Sequence, residues 1–308
     1  MQKLLPFFAL LFGGMMIGFA GIFMRLADTG PIASAFWRMA LALPLLWPLA
    51  FWFSKRARQF SPGFVWSGFL FAADMAIWHL ALHHTTVANA TLGSNLAPIV
   101  LALWAWIRWG QRFSAEFLAG LSAAILGAVF LVGPHIGGDG DRLYGDFLAL
   151  LTAFFYAAYQ AAIKDLRDRH DTFHLMAWGT TFSALFLLPA ALLDARPLFP
   201  QSAEGWLVVS ALALTAQVCG QVVIAYALAH LSVTVASVSL LIQPLTAAIA
   251  AWLLFDERLT GWQLFGGGLL LVGIVLAKRG ERPVLTLKRP PAMKNPEPSG
   301  GKNALNAK

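Results

Sequence analysis

Ten stretches of about 20 mainly apolar residues recur along this chain, and no other feature limits its possible folds as severely. They run approximately over 4–24, 32–53, 63–82, 87–107, 115–133, 144–163, 172–193, 205–228, 233–254 and 261–278. In hydrocarbon each backbone N–H and C=O must find its partner inside the protein, so runs of this length read as helices. Of 308 residues 58% are hydrophobic and 12% charged, whereas a soluble domain carries roughly 25% charged residues. Half that number cannot cover the surface of a globule this size. The chain therefore reads as an all-α integral membrane protein with ten transmembrane helices. The first run follows Lys3 as a secretory signal does, but it is too long and shows no small-residue cleavage site, so it is kept as a helix.

Residues 81–98, ALHHTTVANATLGSNLAP, come back at 227–244 as ALAHLSVTVASVSLLIQP. His84 and His230 stand at the same place in the two copies. The register continues through Trp106 and Trp252, Arg112 and Arg258, Gly120 and Gly266, and Gly127 and Gly273. Shared Pro, Trp, Arg and Gly across two apolar runs and the turn between them indicate a duplicated unit. The expected organisation is a five-helix repeat over 1–133, a Gly/Asp-rich loop over 134–143, a second five-helix repeat over 144–279, and a disordered basic cytoplasmic tail over 280–308.

Lys and Arg set the orientation. With the N-terminus inside, the inner loops hold Lys55, Arg56, Arg58, Arg108, Arg112, Lys164, Arg167 and Arg169, and the outer loops only Arg25, Arg142, Arg196 and Arg258. This positive-inside bias puts both termini in the cytoplasm. Because five is odd, the second repeat enters the membrane upside down relative to the first. Inverted repeats around a midplane site are the architecture of alternating-access transporters. The net charge of +7 belongs to these loops and the tail and is no footprint for nucleic acid.

The paired prolines of the fourth and ninth spans, the helix-two stretch FWRMALALPLL and the block FDERLTGWQLFGGGLLLVGIVL resemble the EamA-type transporters of the drug/metabolite transporter superfamily over residues 4–279. The resemblance implies ATP-independent export or exchange of small metabolites, such as amino acids, across the bacterial inner membrane. It also implies a cavity built from helices one to four and six to nine, with five and ten as peripheral supports. Family members carry an acid in the turn of each half. Glu257 matches in the second half, whereas the first has Gly110, Gln111 and Arg112 there.

Few polar residues fall inside the spans. Asp74 is the one carboxylate near the middle of a span, where an ionisable group costs about 2.5–3.5 kcal/mol. It reads either as a proton-coupling or substrate-amine site, or as a structural partner of Arg38, the one basic residue well inside a span. His79 reads as a cavity or an interfacial residue, and Trp78 as a cavity wall or a packing residue. In helix eight Gln217 and Gln221, four apart, share a face. Tyr156, Tyr159 and Gln160 share one on helix six. Gln243 on helix nine and Asn95 on helix four, which shares a face with Thr91 and Ser94, complete the candidate substrate-binding set. Pro98 and Pro244 are expected to kink their spans, and the glycines of helices one, five and ten to let helices approach closely.

The expected function is a secondary transporter of amino acids, aromatic or large apolar ones fitting Trp78, Tyr156 and Tyr159. The alternatives are an exporter of nucleobases, sugar derivatives or drugs, and, from another class, a membrane-embedded enzyme or a non-transporting scaffold. No cofactor or metal is expected, since no H-E-x-x-H, Walker-A or Cys/His metal spacing occurs and Cys219 has no partner cysteine. The expected partners are a small-molecule substrate, the bilayer and, if Asp74 titrates, the proton. Oligomeric state has no signature in the sequence.

Overall fold

The structure is a computed structural model and describes residues 4–84, 93–132, 140–255 and 260–281. Among these are ten helical units and no strand. They are α1 (Leu4–Leu26), α2 (Pro31–Phe53), α3 (Pro62–His84), α4 (Ala97–Trp109), α5 (Ala115–Val132), α6 (Gly140–Arg167), α7 (Thr172–Leu193), α8 (Ala203–Leu228), α9 (Val233–Leu254) and α10 (Gly261–Arg279). Eight are long and apolar enough to cross a membrane, and α4 and α5 are shorter apolar helices. Their apolar content and number make this a multi-pass membrane protein.

Helix starts follow local chemistry. Asp171 caps α7 by accepting from the backbone N–H of His174 at 3.0 Å, and Ser202 caps α8 by accepting from Gly205 at 2.9 Å. Thr260 and Gln263 form a reciprocal capping box on α10. Both spans are interrupted just before their prolines. Residues 93–94 are helical, a turn lies at 95–96, and Pro98 sits in the first turn of α4. Within α9 the helix breaks at 240–241, and Pro244 sits third in the resumed segment Ile242–Phe255. A proline crowds the carbonyl of the preceding turn, and in a first turn its missing N–H costs no hydrogen bond. The fourth span, expected from 87, is described as helix at 93–94 and again from Ala97. Residues 85–92, which include Thr91, lie outside the described residues, as do Glu257, most of the inter-repeat loop and the tail from 282. Helix α6 begins at Gly140, four residues before the expected 144, because hydropathy marks the apolar run and misses a polar first turn of the same helix.

The helices associate in a recurring pattern. Helix α3 lies along α6, and α1 along α8; α4 lies along α6, and α1 along α9. Helix α3 also packs on α7, and α2 on α8; further contacts pair α2 with α7, α4 with α9 and α5 with α10. The last pair is the most intimate. A Cβ built on Gly120 would meet the Ala277 backbone nitrogen at 2.2 Å, one on Gly273 the Ala124 nitrogen at 2.3 Å, and one on Gly127 the Leu270 nitrogen at 2.4 Å. Backbone rests on backbone, as small residues permit where no hydrophobic force drives helices together in lipid. Helix α1 uses the same device, with Gly13 against the Gly220 carbonyl oxygen at 2.9 Å and Gly18 against Thr246 at 2.6 Å.

Candidate functional site

Where α1, α2, α3, α6, α8 and α9 converge they leave a cavity of about 230 Å³. Ile17, Gly18, Ala20, Gly21 and Met24 of α1 form one wall, and Ala35 and Arg38 of α2 continue it. Helix α3 contributes Phe71, Asp74, Met75, Trp78 and His79, and the turn before α4 adds Ser94 and Asn95. Tyr156 from α6, Gln221 from α8, and Gln243, Pro244 and Ala247 from α9 close it. No lining residue comes from α5, α7 or α10. The glycines of α1 divide in role: Gly13 and Gly18 are contact points, whereas a Cβ on Gly21 would meet nothing within 4 Å and would point into free space beside the cavity.

The structure brings together seven of the ten candidate residues, namely Asp74, Trp78, His79, Asn95, Tyr156, Gln221 and Gln243. His79 is 1% exposed; its Nδ1 lies 2.5 Å from the Met75 carbonyl, and its ring meets that of Trp78 edge-on at 5.0 Å. Gln243 Nε2 donates to the Tyr156 hydroxyl at 3.3 Å, joining α9 to α6. The other three stand behind this lining. Tyr159 stacks on Phe71 at 4.5 Å and so backs the wall. Gln160 is 1% exposed, with neither amide atom hydrogen-bonded. Gln217 departs from the expectation that it shares the cavity with Gln221. Its Nε2 donates to Thr180 Oγ1 of α7 at 2.9 Å, because a buried amide goes to the nearest acceptor and α7 supplies one on that side. Residues 213–222, which carry both amides, are wound as a π-helix, a form that clusters at functional sites.

Asp74 and Arg38 line the same cavity at 3% and 5% exposure. The sequence offered them as an ion pair, yet among the described residues no salt bridge within 4.0 Å joins them. Arg38 instead lies over the Phe71 ring, its Cζ 5.5 Å from the centroid. The sequence signal for Arg38 was its depth in a span; which way it faced depended on tertiary packing.

Away from the cavity, where α2, α6 and α8 finish and α3, α7 and α9 begin, polar links join the helix ends. Arg167 of α6 donates from Nε to the Ala225 carbonyl at 3.2 Å and from Nη1 to that of His170. Lys164 reaches the Ala229 carbonyl at 3.4 Å, Trp178 Nε1 donates to that of Ala57 at 2.9 Å, and Ser54 donates to Asp171. Burial, and then the neighbouring His174, pushes the His170 imidazole below its ordinary pKa. Among the described residues no group of three or more His, Cys, Asp or Glu is placed to hold a metal.

The model of the EamA-like transporter family matches residues 4–133 and again 143–279. The chain belongs to that family. An "Uncharacterized transporter" from Archaeoglobus fulgidus is 27% identical over 261 residues, covering 82% of this chain and 89% of that one. The "Pseudopaline exporter CntI" of Pseudomonas aeruginosa is 24% identical, covering 73% and 78%. A "Probable amino-acid metabolite efflux pump" of Escherichia coli is 26% identical, covering 63% and 70%. A solved crystal structure, 17% identical, superposes with a TM-score of 0.76 over 90% of this chain and 96% of the other. That likeness concerns the fold. The relatives with assigned roles are small-molecule exporters, and this EamA-like chain carries its cavity on the helices that both matched halves supply.

Proposed function

We propose that this chain is a secondary transporter that exports amino-acid-type metabolites across a bacterial inner membrane by alternating access, with both termini cytoplasmic. Two inverted five-helix repeats carry the mechanism. Support comes from the double match of one family model and from a packing pattern that maps onto itself when α1–α5 are exchanged for α6–α10. Under that exchange α1 with α8 becomes α6 with α3, and α1 with α9 becomes α6 with α4, while α2–α7, α4–α9 and α5–α10 return to themselves. An odd number of helices per half turns the second upside down. With the basic loops inside, the linked end at Arg167 faces the cytoplasm, and the cavity lies toward the periplasmic side of it.

One observation carries the substrate reading: an Asp74 carboxylate with no hydrogen bond or ion pair among the described residues lines a cavity walled by Trp78, Phe71 and Tyr156. A carboxylate in low dielectric calls for a counter-charge, and a proton or the ammonium of a substrate supplies one. The two compete for the same oxygens, and that exchange couples flux to the proton gradient. The volume of about 230 Å³ falls below the roughly 300–1,000 Å³ of drug-sized sites, which suits a single amino acid.

Flux of labelled amino acids in proteoliposomes, with and without a pH gradient, tests this. Wild-type protein should move aromatic or large apolar amino acids and respond to the gradient; Asp74→Asn should keep its fold and lose the pH response. Flux in Asp74→Asn with unchanged pH dependence would remove the coupling role, and no flux of any amino acid by wild-type protein would remove the substrate reading.

A further inference from the structure

Arg38 is a buried cation that its protein surroundings leave incomplete. Among the described residues its Nε and Nη2 have no hydrogen-bond partner and no carboxylate forms an ion pair with it within 4.0 Å. A guanidinium remains charged at any physiological pH, and a buried charge without a partner is strongly unfavourable. Stacking over Phe71 occupies its face and leaves its edges for in-plane bonds. Nε and Nη2 form one such edge, whose two parallel N–H groups match the two oxygens of a carboxylate. Less than 1 Å² of either atom is open, so the edge meets a ligand only as the side chain swings into the cavity that it already lines.

Asp74 supplies the complement. Two opposite charges line one cavity without touching, and a molecule bearing both charges in reverse would satisfy each. We propose that Arg38 binds the substrate carboxylate while Asp74 takes the ammonium, which makes the cavity a receptor for zwitterionic α-amino acids and a poor one for amines or acids alone. This rests on the amino-acid reading above and narrows it. A ligand with one charge leaves the opposite group buried and unpaired, and sites built for a polar group reject analogues that lack it by large factors.

The test is calorimetric titration of the full-length purified protein with three probes. Phenylalanine carries both groups, phenylalaninamide lacks the carboxylate, and 3-phenylpropionate lacks the amine. For the wild type, phenylalanine should bind at least about 10-fold more tightly than either analogue. In Arg38→Gln, phenylalanine should weaken to the level of phenylalaninamide while phenylalaninamide itself is unchanged, so the advantage of the carboxylate disappears. Arg38→Lys, which keeps the charge without the fork, should fall between. If Arg38→Gln weakens phenylalanine and phenylalaninamide by the same factor, the assignment is wrong and the amino-acid reading stands. If none of the three binds the wild type at millimolar concentration, both fall together. Should Arg38→Gln fail to fold, the wild-type series decides alone, because equal binding of phenylalanine and its amide overturns the assignment.

Discussion

Gln217 and Gln221, one helical turn apart on α8, show how adjacent and chemically identical side chains acquire different roles. Gln221 lines the cavity; Gln217 is engaged with Thr180. Gln221→Ala should therefore weaken amino-acid binding by about 1–3 kcal/mol and leave the melting temperature nearly unchanged. Gln217→Ala should do the reverse, lowering stability by about 1 kcal/mol with the binding constant preserved. Titration and thermal melts on the two variants check this, and a binding loss in Gln217→Ala would reopen its place in the cavity. The comparison also marks how far the sequence could be read. Depth in a span singled out Asp74, His79 and Gln221, which are buried, and Tyr156, which is half-buried, because hydrocarbon makes any such polar residue costly. Facing was legible only in part. Tyr159, Gln160 and Gln217 satisfied the same test of type and position and lie behind the lining, since a helical face is polar whether its partner is a ligand or a neighbouring helix. Arg38 shows the opposite failure: a plausible partner nearby in the sequence map suggested a closed pair that the packing does not make.

At the scale of elements, the α5–α10 pair was the most legible. Its glycines recur in register, and the structure puts backbone against backbone at Gly120, Gly127 and Gly273. The pair contributes nothing to the cavity, so damage to it should separate stability from recognition. Gly273→Val must displace the Ala124 nitrogen, met at 2.3 Å by a bare Cβ. Overpacking of this kind costs about 1–3 kcal/mol or more. Thermal melts in detergent should show the loss, whereas the protein that remains folded should bind its amino acid as the wild type does. An unaltered melting temperature would mean that α5 and α10 are not in contact as described. Proline was less legible. A proline within an apolar run signals an interruption without fixing its place: Gly93, Ser94 and Asn95 announce the turn at 95–96, whereas the break at 240–241 falls on two leucines.

The whole molecule is linked at one end and hollow toward the other. Opening of this end breaks the Arg167 contact from α6 to Ala225 of α8, and Ser237, 2% exposed with an unbonded hydroxyl, lies in the first segment of α9, which begins at this end. Removing a hydrogen bond made by a charged group shifts an equilibrium by about 1.5–3 kcal/mol. Arg167→Ala should accordingly raise maleimide labelling of Ser237→Cys by about tenfold, in a Cys219→Ala background because Cys219 is itself exposed. Unchanged labelling would show that Arg167 does not hold this end shut. The hollow end carries a consequence of another kind. At Gly21, on the cavity rim, a side chain would encounter no protein atom within 4 Å. A larger residue is therefore accommodated there with no helix needing to move, so the rim of the chamber tolerates change that the packed glycines Gly13 and Gly18 do not.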